Sequence, residues 1–147
     1  MRLKKFITMN GKPLIIHILL AVFGTGIVGF SWNSSVLNEM VAAVFILTIL
    51  LHYFAGVLLI NYGSPLKNLS AVSLVFLFDF MIFLLRFVSV DHDSLMNSIS
   101  FVFSFPFLYL LGWKGVDYSL LTVLIPSFLF WAGLESKVAI ARLSGGN

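Results

Sequence analysis

The sequence predicts an all-α integral membrane protein, a bundle of about five transmembrane helices with a cytoplasmic N-terminus. Three observations carry this expectation. First, 60% of the 147 residues are hydrophobic and only 10% are charged, with mean hydropathy +1.05; soluble domains average about 45–50% and about 25%. Second, apolar runs long enough to cross a bilayer recur along the chain, separated by short polar turns. Third, the basic residues gather in the flanks of those runs. The net charge of +3 is therefore a topological signal, and no nucleic-acid partner is expected. The absence of cysteine excludes thiolate catalysis and Cys-ligated zinc or iron–sulfur sites. No repeat or linker divides the chain, so residues 1–147 are expected to form one membrane domain.

The first span is expected over about 14–32, after the basic stretch of Arg2, Lys4 and Lys5 and with Lys12-Pro13 at its start. Its apolar run is long for a signal peptide and lacks a small-residue cleavage pattern, so a retained helix is expected. The second span covers about 39–60, after the turn Asn33-Ser34-Ser35, and ends at Asn61-Tyr62-Gly63-Ser64-Pro65. The third covers about 69–90. At about 1.5 Å per residue, each is long enough for the ~30 Å hydrocarbon core. Leu95 to Leu134 would be about 60 Å long as one helix. Gly112-Trp113-Lys114-Gly115-Val116-Asp117 divides it into spans of about 96–111 and 118–134, each with a proline, Pro106 and Pro126. A re-entrant hairpin is the structural rival. Five crossings put Arg2, Lys4, Lys5, Lys12, Lys67 and Lys114 inside, and Lys137 and Arg142 outside.

Lipid tails are as apolar as leucine, so close backbone approach and interhelical hydrogen bonds must hold the helices together. Ala21, Thr25 and Gly29 recur every four residues on the first helix, and Thr48, His52 and Gly56 do so on the second. Both stripes are expected to pack helix on helix, within the bundle or against a partner.

Ionisable residues inside spans are costly and therefore informative; an interhelical hydrogen bond that locks the bundle is the favoured reading, and a protonation site in a transport path the other. Asp79 falls near the middle of the third span, and His52 lies at a similar depth in the second, so a His52–Asp79 contact is feasible. Arg86 follows Asp79 by seven residues, which returns it to within about 20° of the same face; it either extends this polar path or snorkels to headgroups. His17 is expected at the interfacial end of the first span. A haem held by His17 and His52 is disfavoured because their expected depths differ by roughly 7 Å. No metal or other cofactor is expected. Asp91-His92-Asp93 forms an outer loop. Glu39 and Glu135, expected on the same side, would complete an outer acidic cluster with Asp91, His92 and Asp93.

These features favour a small accessory, immunity or assembly subunit acting through helix contacts in a cell membrane, by size a bacterial plasma membrane. Its expected partners are the bilayer and another membrane protein or a second copy. One alternative is a small oligomeric transporter or channel using His52, Asp79 and Arg86. Another is an enzyme acting on lipid headgroups at the outer face.

Overall fold

The computed structural model describes residues 3–30, 35–88, 95, 98–99, 102–103 and 120–144; the side chains of 3–5, 86–88 and 120–121 are not among them. These residues form four long helices: α1 (Leu3–Phe30), α2 (Leu37–Leu58), α3 (Pro65–Val88) and α4 (Leu120–Ser144). There is no strand among them. Each helix contains a stretch long and apolar enough to cross a membrane: Phe6–Phe30, Leu37–Leu58, Pro65–Leu85 and Thr122–Ser144. Only 28–33% of each stretch is buried, and the outward faces carry residues such as Phe23, Phe54 and Met81. That apolar exterior suits a chain whose solvent is lipid.

The helices alternate in direction. Val28 of α1 packs with Val41 and Val44 near the start of α2, so α1 and α2 are antiparallel. The turn to α3 is tight and well bonded. Gly63 adopts φ +86°, a region that glycine enters without steric cost, and its N–H donates to Asn61 Oδ1. Ser64 caps α3 by accepting from the N–H of Lys67, and Pro65 occupies the first turn, where a missing N–H costs nothing. At the far end of the chain, Lys137 Nζ donates to the carbonyl of Leu59 at 3.1 Å, and Asn68 Nδ2 donates to Glu135 Oε1 at 2.8 Å. The C-terminal end of α4 therefore lies against the α2–α3 turn, at the same end of the bundle as the N-terminal end of α1, and the four helices alternate in direction.

Two expectations change. Most of the expected 96–111 span lies outside the described residues, while the expected 118–134 span is α4 and continues to Ser144. Glu135 was expected beside Glu39. It lies instead at the opposite end of the bundle, against Asn68, because α4 runs parallel to α2.

The first helix also differs. It starts at Leu3 rather than Leu14 and continues through Pro13. Proline deletes one backbone hydrogen bond, which membrane helices tolerate when neighbours hold them in place. Here Asn10 does so. Its amide donates to the carbonyl of Ser70 at 2.9 Å and accepts from the N–H of Leu74 at 2.9 Å. Those two backbone groups are the i, i+4 pair of α3, so Asn10 grafts α1 onto the hydrogen-bond ladder of α3.

The most extensive helix pairing is α2 with α4. It rests on two glycines. A Cβ on Gly56 would meet the carbonyl oxygen of Phe130, and one on Gly133 would meet that of Tyr53. Beside this crossing, Leu59, Val72, Val75, Phe130 and Leu134 form the main apolar core. The α2 stripe of Thr48, His52 and Gly56 is buried throughout. The α1 stripe is mixed: Ala21 is buried, Thr25 donates to the carbonyl of Val102, and Gly29 faces open space.

Alanine at Gly56 or Gly133 is expected to destabilise the bundle by about 2 kcal/mol or more, since the obstacle is backbone and cannot rotate away. Alanine at Gly29, where nothing approaches, is expected to leave stability unchanged or raise it. Thermal unfolding of the three variants in one mild detergent checks the contrast.

Candidate functional site: a buried Asp–His–His chain

Starting α1 at Leu3 moves His17 from the edge of the membrane to the middle of the Phe6–Phe30 stretch. There it is fully buried between α2 and α3. Its Nδ1 lies 3.0 Å from His52 Nε2, and its Nε2 lies 2.8 Å from Asp79 Oδ1. His52 Nδ1 in turn lies 2.8 Å from the carbonyl oxygen of Thr48. Three ionisable side chains from three helices thus form one hydrogen-bonded chain. The expected His52–Asp79 pairing is mediated, because His17 stands between the two.

The chemistry of the partners fixes the proton positions. A backbone carbonyl only accepts, so His52 carries a proton on Nδ1. When His52 is neutral, its Nε2 is an acceptor, and His17 must donate to it from Nδ1. His17 Nε2 then faces Asp79 in one of two ways. It donates to an aspartate anion, making His17 an imidazolium, or it accepts from a protonated Asp79. A third arrangement places the positive charge on His52, with His17 neutral and donating from Nε2 to the anion. All three arrangements contain the same number of protons and have zero net charge. They differ only in whether the shared proton sits on Asp79, His17 or His52. This bonding allows a proton to pass along the chain without any change in its net charge.

Aromatic rings enclose it. Phe130 meets the His52 ring edge-on with centroids 5.0 Å apart, while Phe78 and Phe103 approach His17 at 6.3 and 6.0 Å. Burial among these rings removes competing water, so each hydrogen bond is stronger and each broken one costs more. One polar atom remains. Asp79 Oδ2 is buried and has no hydrogen-bond partner among the described residues. It borders a cavity with about 10 Å³ open to a water's centre, lined by Asp79, Ile82, Phe103, Thr122 and Val123.

A second polar cluster lies at the N-terminal end of α1. Asn68 is buried, donates to Asn61 Oδ1 and Glu135 Oε1, and accepts from the N–H of Tyr62. Its bonds tie α4 and the α2–α3 turn together, a structural role.

The other expected site residues divide clearly. Arg86 lies on α3, with its side chain outside the described residues. Asp91, His92 and Asp93 also lie outside them. Glu39 is exposed in the first turn of α2. The haem reading fails on geometry: trans ligation across one iron sets the two nitrogens about 4 Å apart, given metal–imidazole bonds of about 2 Å, and His17 and His52 are hydrogen-bonded at 3.0 Å. Among the described residues no group of three His, Asp or Glu is arranged to hold a metal. Sequence reasoning missed the central place of His17, and with it Asn10, Asn68, Thr122 and Gly133. The signal for His17 was present: Arg2, Lys4 and Lys5 are a basic flank for a helix starting at once, with Pro13 inside it.

Comparison of the chain with family models, with curated proteins and with solved structures finds no match.

His17→Ala strands a mid-membrane aspartate, for which insertion scales give a cost of about 2.5–3.5 kcal/mol. Asp79→Asn should cost far less, since its amide N–H can donate to His17 Nε2 as a protonated aspartate does. Unfolding measurements on both variants test this ordering. In ¹⁵N-resolved NMR spectra, His52 is expected to keep a proton on Nδ1; a bare Nδ1 would contradict the assignment.

Proposed function

We propose that this chain is a small proton-coupled membrane transport protein in which Asp79, His17 and His52 form the protonation site. One observation carries the reading: three ionisable side chains from three different helices are joined by hydrogen bonds at mid-bundle. Such groups are costly in a membrane and characteristically line proton relays and coupling sites. A proton moving along this chain changes which helix holds the charge, and each link joins a different helix pair. Proton binding is therefore tied to how α1, α2 and α3 sit against one another.

The orientation belongs to the same proposal. The α1 N-terminus, the α2–α3 turn and the α4 C-terminus share one end of the bundle. Lys4, Lys5, Lys12, Lys67, Lys137 and Arg142 lie on the helices or turn at that end. By the positive-inside rule it faces the cytoplasm of the cell membrane.

A groove supports a second reading, the accessory subunit. It lies between α3 and α4, has a volume of about 560 Å³, and is lined by apolar residues including Leu69, Val72, Phe76, Leu124 and Phe128. Ser127 also borders it, and its hydroxyl is buried without a hydrogen-bond partner. A helix of another membrane subunit, offering a polar group to Ser127, suits such a surface.

The protein in liposomes with an imposed pH gradient is expected to dissipate that gradient, read by an entrapped pH dye, once its solute is supplied on either side. Asp79→Asn, which folds but carries no titratable group at that position, is expected to abolish the flux. Wild-type traces matching empty vesicles across inorganic ions, amino acids and sugars would overturn the transport reading. A stoichiometric foreign subunit in native mass spectrometry would then favour the accessory one.

A further inference from the structure

We propose that the relay exchanges its proton through a single bound water held between Asp79 Oδ2 and the hydroxyl of Thr122, which makes Thr122 a positioning residue. The inference deepens the reading of Asp79, His17 and His52 as a protonation site and rests on it.

The relay has one closed end. His52 Nδ1 donates to the Thr48 carbonyl, and a backbone carbonyl accepts a hydrogen bond but does not carry a proton onward at neutral pH. Among the described bonds, the Asp79 end is the one that leaves an atom open for exchange. There Oδ1 is engaged with His17. Oδ2 is buried and unpartnered in a residue only 7% exposed. A buried carboxylate oxygen left without a partner is costly, and an ordered water is the usual remedy.

The cavity beside Oδ2 matches one water and little else. Its volume of about 10 Å³ is near the minimum of roughly 10–15 Å³ for a single water. Ile82, Phe103 and Val123 make up the apolar part of its wall, and Asp79 and Thr122 supply the side-chain polar groups. A bound water needs two to four polar partners. A hydroxyl has one donor and two acceptor sites, so Thr122 can engage another group and still accept from the water. A dehydrated Ca²⁺ or Mg²⁺ takes about six or more oxygens, which this wall does not offer.

Among the described residues, the charged and titratable groups around the site come from three helices: His17 from α1, His52 from α2 and Asp79 itself from α3. The described part of α4 contributes Thr122 and Val123, which do not titrate. The proton step balances simply. A hydronium arriving at the cavity gives a proton to Oδ2 and remains as water; one O–H bond breaks on the hydronium and one forms on Asp79. Release runs in reverse. Exchange thus passes between α3 and α4.

The test is infrared difference spectroscopy of the full chain in lipid nanodiscs after a pH jump, in H₂¹⁶O and H₂¹⁸O. The Asp79 carboxyl band is assigned by its loss in Asp79→Asn. The wild type is expected to show an ¹⁸O-sensitive water O–H band that changes together with the Asp79 band. Thr122→Val, nearly isosteric, should lose the water band and slow proton uptake about a hundredfold, the low end of what a positioned proton-transfer group contributes. Thr122→Ser should retain both. An Asp79 band without a coupled water band in the wild type overturns the proposal, whether or not Thr122→Val folds. So does an Asp79 band that never changes between about pH 2 and 10, a range that brackets the ordinary carboxyl and imidazole values. A Thr122→Val protein with wild-type uptake also overturns it. Coupled bands in a protein that moves no solute in liposomes would retire the transport reading and leave the water site standing.

Discussion

The hydrogen bond between His17 and Asp79 is the constraint on which the rest of the bundle depends. Insertion scales put an unpaired aspartate at mid-membrane at about 2.5–3.5 kcal/mol, a large fraction of a small domain's stability. At 2.8 Å from His17 Nε2, Asp79 has a partner that either donates to its anion or accepts its proton. That bond sets the depth at which α1 lies against α3. His17 then places its other nitrogen against His52, which sets α2 against α1. Three helices are brought into register by one line of side chains.

Other features support that register from its two sides. Toward the N-terminal end of α1, Asn10 bonds to the Ser70 carbonyl and the Leu74 N–H, seven residues before His17 and two helical turns nearer that end. It fixes the same α1–α3 pairing at a second depth. Gly56 and Gly133 let α2 and α4 touch backbone to backbone. That approach brings Phe130 over the His52 ring and carries Thr122 of α4 to the cavity beside Asp79. The two polar levels therefore have different work. Asn10 and the linked Asn61, Asn68 and Glu135 are hydrogen-bonded near the bundle's end. The Asp79 chain keeps one oxygen open to a cavity. A fully bonded network rigidifies a core, whereas one with an open polar atom can exchange with what reaches it.

Much of this was legible in the residues. The membrane class followed from composition, since 10% charged residues cannot cover a soluble surface. Asp79 and His52 stood out because ionisable residues in apolar runs are rare, and both are in the site. The boundary of α1 was misjudged because Lys12-Pro13 resembles a helix start, and proline is favoured there. The structure starts α1 at Leu3 and continues it through Pro13, and that shift of about three turns decides whether His17 is interfacial or central. The small-residue stripes were a weaker guide. The α2 stripe packs as expected, but Gly29 on α1 meets nothing among the described residues, while Gly133 makes a backbone contact without belonging to either stripe.

The sequence by itself determined that this chain forms apolar helices for a bilayer, and that an aspartate and a histidine lie deep within them. Those properties depend on local composition and on run length against the thickness of the hydrocarbon core. Only the tertiary structure decided that α4 returns its C-terminal end to the end of the bundle where α1 starts, that His17 joins His52 to Asp79, and that Thr122 shares a cavity with Oδ2. Each of these joins residues far apart in the chain. In a membrane no hydrophobic gradient between helices selects their partners; selection falls to close backbone contact and to the angles of a few hydrogen bonds, neither of which any stretch of sequence contains alone.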